Sequence, residues 1–137
     1  MPETGYELLE HPADVKLRAW GATLEELFAN AAAGMMAFLF GEHIANAGAE
    51  GTEPLDISAR DREALLVDFL SDLLYRATSE YRAYVDVRVR EVGERRIIAT
   101  AGIVPARARD DIKAVTHHEL AVRKVDTGWE ATVVFDV

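Results

Sequence analysis

The chain has 137 residues, half of them hydrophobic, with 24 Asp and Glu against 15 Lys and Arg, a formal net charge of −9. That length fits one domain over residues 1–137 that buries roughly two thirds of its unfolded surface, and the acidic balance argues against a free-standing nucleic-acid binder, which needs a basic stripe to neutralise phosphates. No cysteine is present, so disulfides, thiolate zinc sites and thiol nucleophiles are excluded together and metal chemistry is left to oxygen ligands and histidine.

No basic start followed by an apolar run and a small-residue cleavage site is visible, and no apolar run reaches bilayer-spanning length. The expectation is a soluble cytoplasmic protein with no membrane partner. Tyr6 to Glu10 and Val15 to Trp20 read as two short strands, the second alternating Val15, Leu17 and Ala19 with Lys16, Arg18 and Trp20. The Pro12-Ala13-Asp14 corner joins them.

Thr23-Leu24-Glu25-Glu26 has the spacing of a capping box, so a helix is predicted to start there. Leu24, Leu27, Phe28, Ala31, Met35, Phe38 and Leu39 form its apolar stripe, and Gly41 ends it. From Glu42 to Pro54 no periodicity is left, which predicts a surface loop and the best place for disorder. Leu55 to Ala59 is a predicted strand. A second helix follows, marked by Leu65, Leu66, Phe69, Leu70, Leu73, Leu74 and Ala77 and ending near Tyr81.

Val85, Val87 and Val89 alternate with Asp86, Arg88 and Arg90, and with Arg96 to Val104 they predict an antiparallel hairpin turning at Gly93-Glu94. Pro105 to Asp110 is polar and arginine-rich. Ala114 to Val125 and Trp129 to Val137 give a second hairpin through Asp126-Thr127-Gly128. This order predicts an α+β fold: a largely antiparallel sheet with two amphipathic helices packed on one face.

Acidic residues stand where predicted elements begin or end: Asp14 at the first corner, Asp61 before the second helix, and Asp136 next to the terminal carboxylate of Val137. If they converge they need a cation, because two charges about 4 Å apart repel by roughly 4 kcal/mol near a protein surface. In the last strand Trp129, Ala131, Val133 and Phe135 share one face, so Asp136 leaves the buried side. Adjacent carboxylates suit a hard divalent cation. Each acid also has an ordinary reading: Asp136 as a solvated terminal acid, Asp14 as a turn cap, Asp61 as a helix N-cap. Lys113 pairs with neighbouring carboxylates, binds a phosphate, or is a plain surface lysine. His117 and His118 point to opposite faces of a regular strand, so at most one joins a site. No His-Glu-x-x-His, phosphate-binding glycine loop or Gly-x-Ser-x-Gly elbow is present, and a self-sufficient enzyme is not indicated.

Over nearly the whole chain the motifs resemble the archease family. Tyr6-Glu7 with His11-Pro12-Ala13-Asp14-Val15, Gly21 to Phe28, Asp61 to Val67 with Phe69-Leu70 and Leu73-Leu74-Tyr75, Ile112-Lys113-Ala114-Val115-Thr116-His117-His118, and Val134-Phe135-Asp136-Val137 are each similar to a family motif in the family's order. The resemblance implies a protein cofactor, not itself an enzyme, of an RtcB-type RNA-splicing ligase. Such a cofactor promotes guanylylation and multiple turnover of the ligase in tRNA splicing and meets RNA only through it. It implies a divalent cation, usually calcium, at Asp14, Asp136 and the terminal carboxylate of Val137. Asp61 and Lys113 match other polar positions of that region, and His11, Thr116 and His118 lie in the matching motifs as function-associated residues. An older description of the family, a chaperone-like modulator of RNA-modifying enzymes, is the alternative, and a metal-dependent hydrolase is a further one. The chain departs from the family at Gly102-Ile103 and at Pro105-Ala106-Arg107-Ala108-Arg109, where archeases often carry Gly-Glu and then a His.

Overall fold

The structure, a computed structural model, describes residues 5–137. In chain order the elements are β1 (Tyr6–Glu10), β2 (Asp14–Gly21), α1 (Leu24–Phe40), a short 3-10 turn (Glu42–Asn46), β3 (Gly51–Ser58), α2 (Arg62–Glu80), β4 (Arg82–Val92), β5 (Arg96–Pro105), β6 (Ala114–Val125) and β7 (Gly128–Asp136). All strand pairs are antiparallel. The α+β expectation holds, with one change of architecture: the strands form two sheets, a four-stranded one in the order β1-β2-β7-β6 and a three-stranded one in the order β3-β5-β4.

The split explains why α1 is buried more widely than its sequence stripe predicts. Besides Leu27, Phe28, Ala31, Met35 and Leu39, the residues Ala32, Met36 and Phe40 are enclosed, whereas Phe38 stays half-buried. At about 100° per residue those buried positions sweep more than half of the helix surface. The helix lies against β2 on one side and β4 on the other, so it forms the core between the sheets. Gly34 lets it approach the first sheet, since a Cβ there would meet Leu17 Cδ1 at 2.6 Å and the Tyr6 ring at 3.0 Å. Thr23 accepts from the Glu26 amide at 3.2 Å, and the Glu26 carboxylate closes the cap on the Ala22 amide at 2.8 Å rather than on that of Thr23.

α2 buries one stripe, Leu65, Leu66, Phe69, Leu70, Leu73 and Ala77 among it, chiefly against β6. The rings of Phe28 and Phe69, 5.9 Å apart, join the two helices in one continuous core. Two local expectations are corrected. The stretch read as a loop to Pro54 contains the 3-10 turn and the first half of β3, and the strand begins at Gly51 rather than Leu55. Pro54 is tolerated there because β3 is an edge strand bonded to β5 alone, so the missing N–H disturbs no second ladder. β6 is also irregular. Between Thr116 and Ala121 it advances five residues while β7 advances two, and Glu119 takes a left-handed φ of 55°.

Candidate metal centre

β2 begins where β7 ends, and this places Asp14 directly opposite Asp136 in the ladder, with Ala114 of β6 opposite Asp136 on the other side. Their strand neighbours Val15 and Phe135, also register partners, are buried in the core. Because side chains alternate, Asp14 and Asp136 leave the sheet together on its other face, with Cβ atoms roughly 4.5–5.5 Å apart as in any cross-strand pair. Backbone bonds fix this corner. The His11 amide donates to the Asp14 carbonyl (2.9 Å), Lys113 to the Asp136 carbonyl (2.7 Å), and Val137 to the Ala13 carbonyl (3.4 Å). The turn therefore closes through main chain, and the Asp14 side chain is not used as its cap.

Among the described residues neither carboxylate has a hydrogen bond or an ion pair. The ammonium nearest along β2, that of Lys16, is engaged with Glu119 at 3.2 Å. That pair reaches from β2 across β7 to the β6 bulge and covers Val134, which is buried although it stands on the outer face. Thr116 braces the same bulge: its hydroxyl donates to the Val134 carbonyl at 2.9 Å and accepts from the His118 amide at 3.3 Å. His117 and His118 both sit in the bulge and are both exposed, so the alternation expected of a regular strand does not govern them. His118 Nε2 lies 3.7 Å from Glu119 Oε2. His11 is exposed on the corner before Asp14, and the exposed Lys113 makes no side-chain ion pair among the described residues.

Asp61 is placed apart from the pair. It is the N-cap of α2, accepting from the Ala64 amide at 2.8 Å. The guanidinium of the next residue, Arg62, lies 5.1 Å from the centre of the Trp129 ring. Trp129 is at the opposite end of β7 from Asp136, about 23 Å away at the usual strand rise.

A second charged cluster, which the sequence reading did not single out, joins β3, α2 and β4. Glu53 accepts from Arg76 at 3.0 Å, from the Tyr84 hydroxyl at 3.0 Å and from Arg82. Arg76 also meets Asp72 at 3.1 Å. Burial first, then the hydrogen bond to Glu53 and its charge, push the Tyr84 phenol up to about 12. The alternation in β3 that aims Glu53 inward was hidden by reading this stretch as a loop.

The sequence model of the Archease protein family matches residues 6–137. The chain belongs to the archease family. It is 37% identical to the protein archease of Methanosarcina acetivorans over the whole of both chains, and 32% identical to that of Archaeoglobus fulgidus, covering 96% of this chain and 98% of that one. The solution structure of Methanobacterium thermoautotrophicum protein 1598 superposes with a TM-score of 0.76 at 28% identity, over 98% of this chain and 99% of that one. The crystal structure of a Thermotoga maritima archease, described as a possible chaperone, gives 0.64 at 21% identity over 96% of each chain, a likeness of fold.

For this archease chain the donor set at the strand end fits a hard divalent ion. Two carboxylates face the same side with no cation upon them among the described residues, and oxygen is the ligand such ions prefer. No group of three His, Asp or Glu side chains gathers among the described residues. An ion held by Asp14 and Asp136 would therefore need its other ligands from main-chain oxygens, a chain-terminal carboxylate or water.

Proposed function

We propose that the chain is a metal-carrying accessory protein of an RtcB-type RNA-splicing ligase, promoting guanylylation and repeated turnover of that enzyme. Asp14, Asp136 and the terminal carboxylate of Val137 would hold the cation, calcium being the first candidate. The observation that supports this is the Asp14–Asp136 pair, which no cation among the described residues neutralises, since like charges set directly opposite one another across a strand pair destabilise it unless something offsets them. When bound, such an ion supplies a concentrated positive charge that acts on phosphate electrostatics and nearby protonation equilibria. The chain's own residues orient the two carboxylates outward through the β2–β7 ladder and clamp the corner through the Lys113 and Val137 amides. His11, Lys113 and His118 then line the same end as exposed polar groups facing the partner. Asp61 takes no part.

Two measurements test this. Calcium at about a hundred times its dissociation constant should stabilise the wild type by about 2.7 kcal/mol, and Asp14→Ala or Asp136→Ala should abolish that gain. In ligation by the ligase of the same cell, both variants should lose stimulation of multiple turnover while remaining folded. Full stimulation by both variants would sink the ion reading and favour a chaperone-like role, in which surface contacts rather than a bound cation do the work.

A further inference from the structure

Beside the acidic strand end, α2 and the stretch leading into β6 leave an open groove of about 370 Å³. Leu74, Ile112 and Val115 line it and are 9%, 4% and 9% exposed, whereas Tyr75 on its rim is 71% exposed, the most exposed large hydrophobic side chain among the described residues. The hydroxyls of Thr78, on the groove, and of Ser79 beside it are exposed but spend their hydrogens on carbonyls of their own helix, and Ser71 is the other polar group of the helix lining. The Thr78 hydroxyl donates to the Leu74 carbonyl at 2.8 Å and the Ser79 hydroxyl to the Tyr75 carbonyl at 2.6 Å. The charged group left on the groove is the ammonium of Lys113, which has no ion pair among the described residues, and none of the residues lining the groove is an acid. In a chain of net charge −9 that combination is an exception.

We infer that this groove seats a segment of the ligase proposed above that carries an apolar side chain with a carboxylate beside it: the apolar group enters between Tyr75 and Leu74, and the carboxylate pairs with Lys113. The inference rests on the proposed function for the partner's identity and on the groove for its chemistry. Exposed tyrosine over an apolar floor is the composition of a binding hot spot, and one free cation selects a segment of opposite charge. Lys113 donates its amide to the Asp136 carbonyl, so a segment held here is registered against the acidic pair one residue away. A nucleic-acid strand is the poorer occupant. Its successive phosphates would leave Lys113, the one basic residue lining the groove, for an acidic strand end in a chain of net charge −9.

The experiment is a binding titration of the full chain against the ligase of the same cell, with and without calcium. Tyr75→Ala should weaken binding tenfold or more and Lys113→Glu at least as much, while Lys113→Arg should stay within about threefold. Tyr81→Asn removes the other exposed tyrosine at the end of α2, in a left-handed position that asparagine tolerates, and should leave binding unchanged. Tyr75→Ala should also keep the calcium-induced rise in melting temperature. Wild-type affinity in both Tyr75→Ala and Lys113→Glu overturns the groove and leaves the ion reading standing. A wild type that binds the ligase but shows no response to calcium overturns the ion reading alone. Absence of any binding overturns the groove together with the partner, and single-stranded RNA bound by the free chain through Tyr75 and Lys113 overturns it in favour of a nucleic-acid seat.

Discussion

Glu53 and the Asp14–Asp136 pair are acids placed on sheets in opposite ways. Glu53 of β3 is met by two guanidiniums and a phenol from two other elements, α2 and β4, so its charge is met wholly from within the chain. Asp14 and Asp136 face one another at the end of the other sheet with no such partner among the described residues. Both arrangements are fixed by antiparallel register, yet only the first lowers the energy of the isolated molecule. An acid that ties elements together is neutralised by its neighbours. An acid left facing another acid is held in place by the backbone at some cost, which is the pattern of a site that takes its counter-charge from outside.

The largest effect that could break this contrast comes from Glu53→Ala. The substitution leaves Arg76, Arg82 and the buried Tyr84 hydroxyl without their common acceptor. Loss of one member of a buried ionic group costs roughly 3–5 kcal/mol, and because these side chains are 20–35% exposed the lower figure, about 3 kcal/mol, is expected. Denaturant titration should show a lower midpoint at unchanged slope. A loss below about 1 kcal/mol, the range of surface ion pairs, would put Glu53 among the solvated acids and remove the comparison.

A smaller effect sharpens it through pH. Tyr84 is 1% exposed and its phenol is pushed up to about 12 in the folded chain, against about 10 when unfolded. Between those values the native state keeps a proton that the unfolded state has released, so stability falls as pH rises. The contribution is therefore fully present below pH 10 and is lost as pH climbs toward 12. Tyr84→Phe should cost about 2 kcal/mol at neutral pH, the worth of a hydrogen bond to a charged group, and should flatten the decline between pH 10 and 12. An identical decline in the variant would assign the alkaline loss to other groups.

These two clusters differ as much in how they can be read from sequence as in how they are paired. The register that sets Asp14 against Asp136 follows from a short corner after β1 and a terminal strand whose buried face is spelled out by Ala131, Val133 and Phe135. Alternation and turn residues are local signals and place each acid at a strand end off the buried face, whereas their meeting depends on β2 pairing with β7 and was expected from the resemblance to archeases. The Glu53 cluster was not legible, because it depends on β3, α2 and β4 meeting and because Pro54 disguises an edge strand as a loop. The β6 bulge was missed for a related reason. Val115-Thr116-His117-His118-Glu119-Leu120 carries no glycine or proline to mark an insertion, and the left-handed Glu119 has its side-chain partner in Lys16, 103 residues away. Division into two sheets is likewise set by which strands pair, which no single strand's pattern specifies.

Asp61 offers the smallest test and separates capping from ligation most cleanly. Sequence position alone allowed it either role, and the structure has it accept from the Ala64 amide, with the exposed Arg60 guanidinium 3.5 Å from its other oxygen, at the end of the molecule marked by Trp129. Asp61→Ala removes that acceptor and the favourable charge at the helix start, and should lower stability by about 1 kcal/mol. Asp61→Ser keeps a capping oxygen without the charge and should recover most of the loss. Neither change alters the charge facing Asp14 or Asp136, so the calcium-induced stabilisation should be the same in wild type and in both variants. If instead the calcium response disappears in Asp61→Ser, a substitution that preserves the cap, then Asp61 acts on the ion despite its distance, and the division between acids that hold the fold and acids kept for a cation fails at this residue.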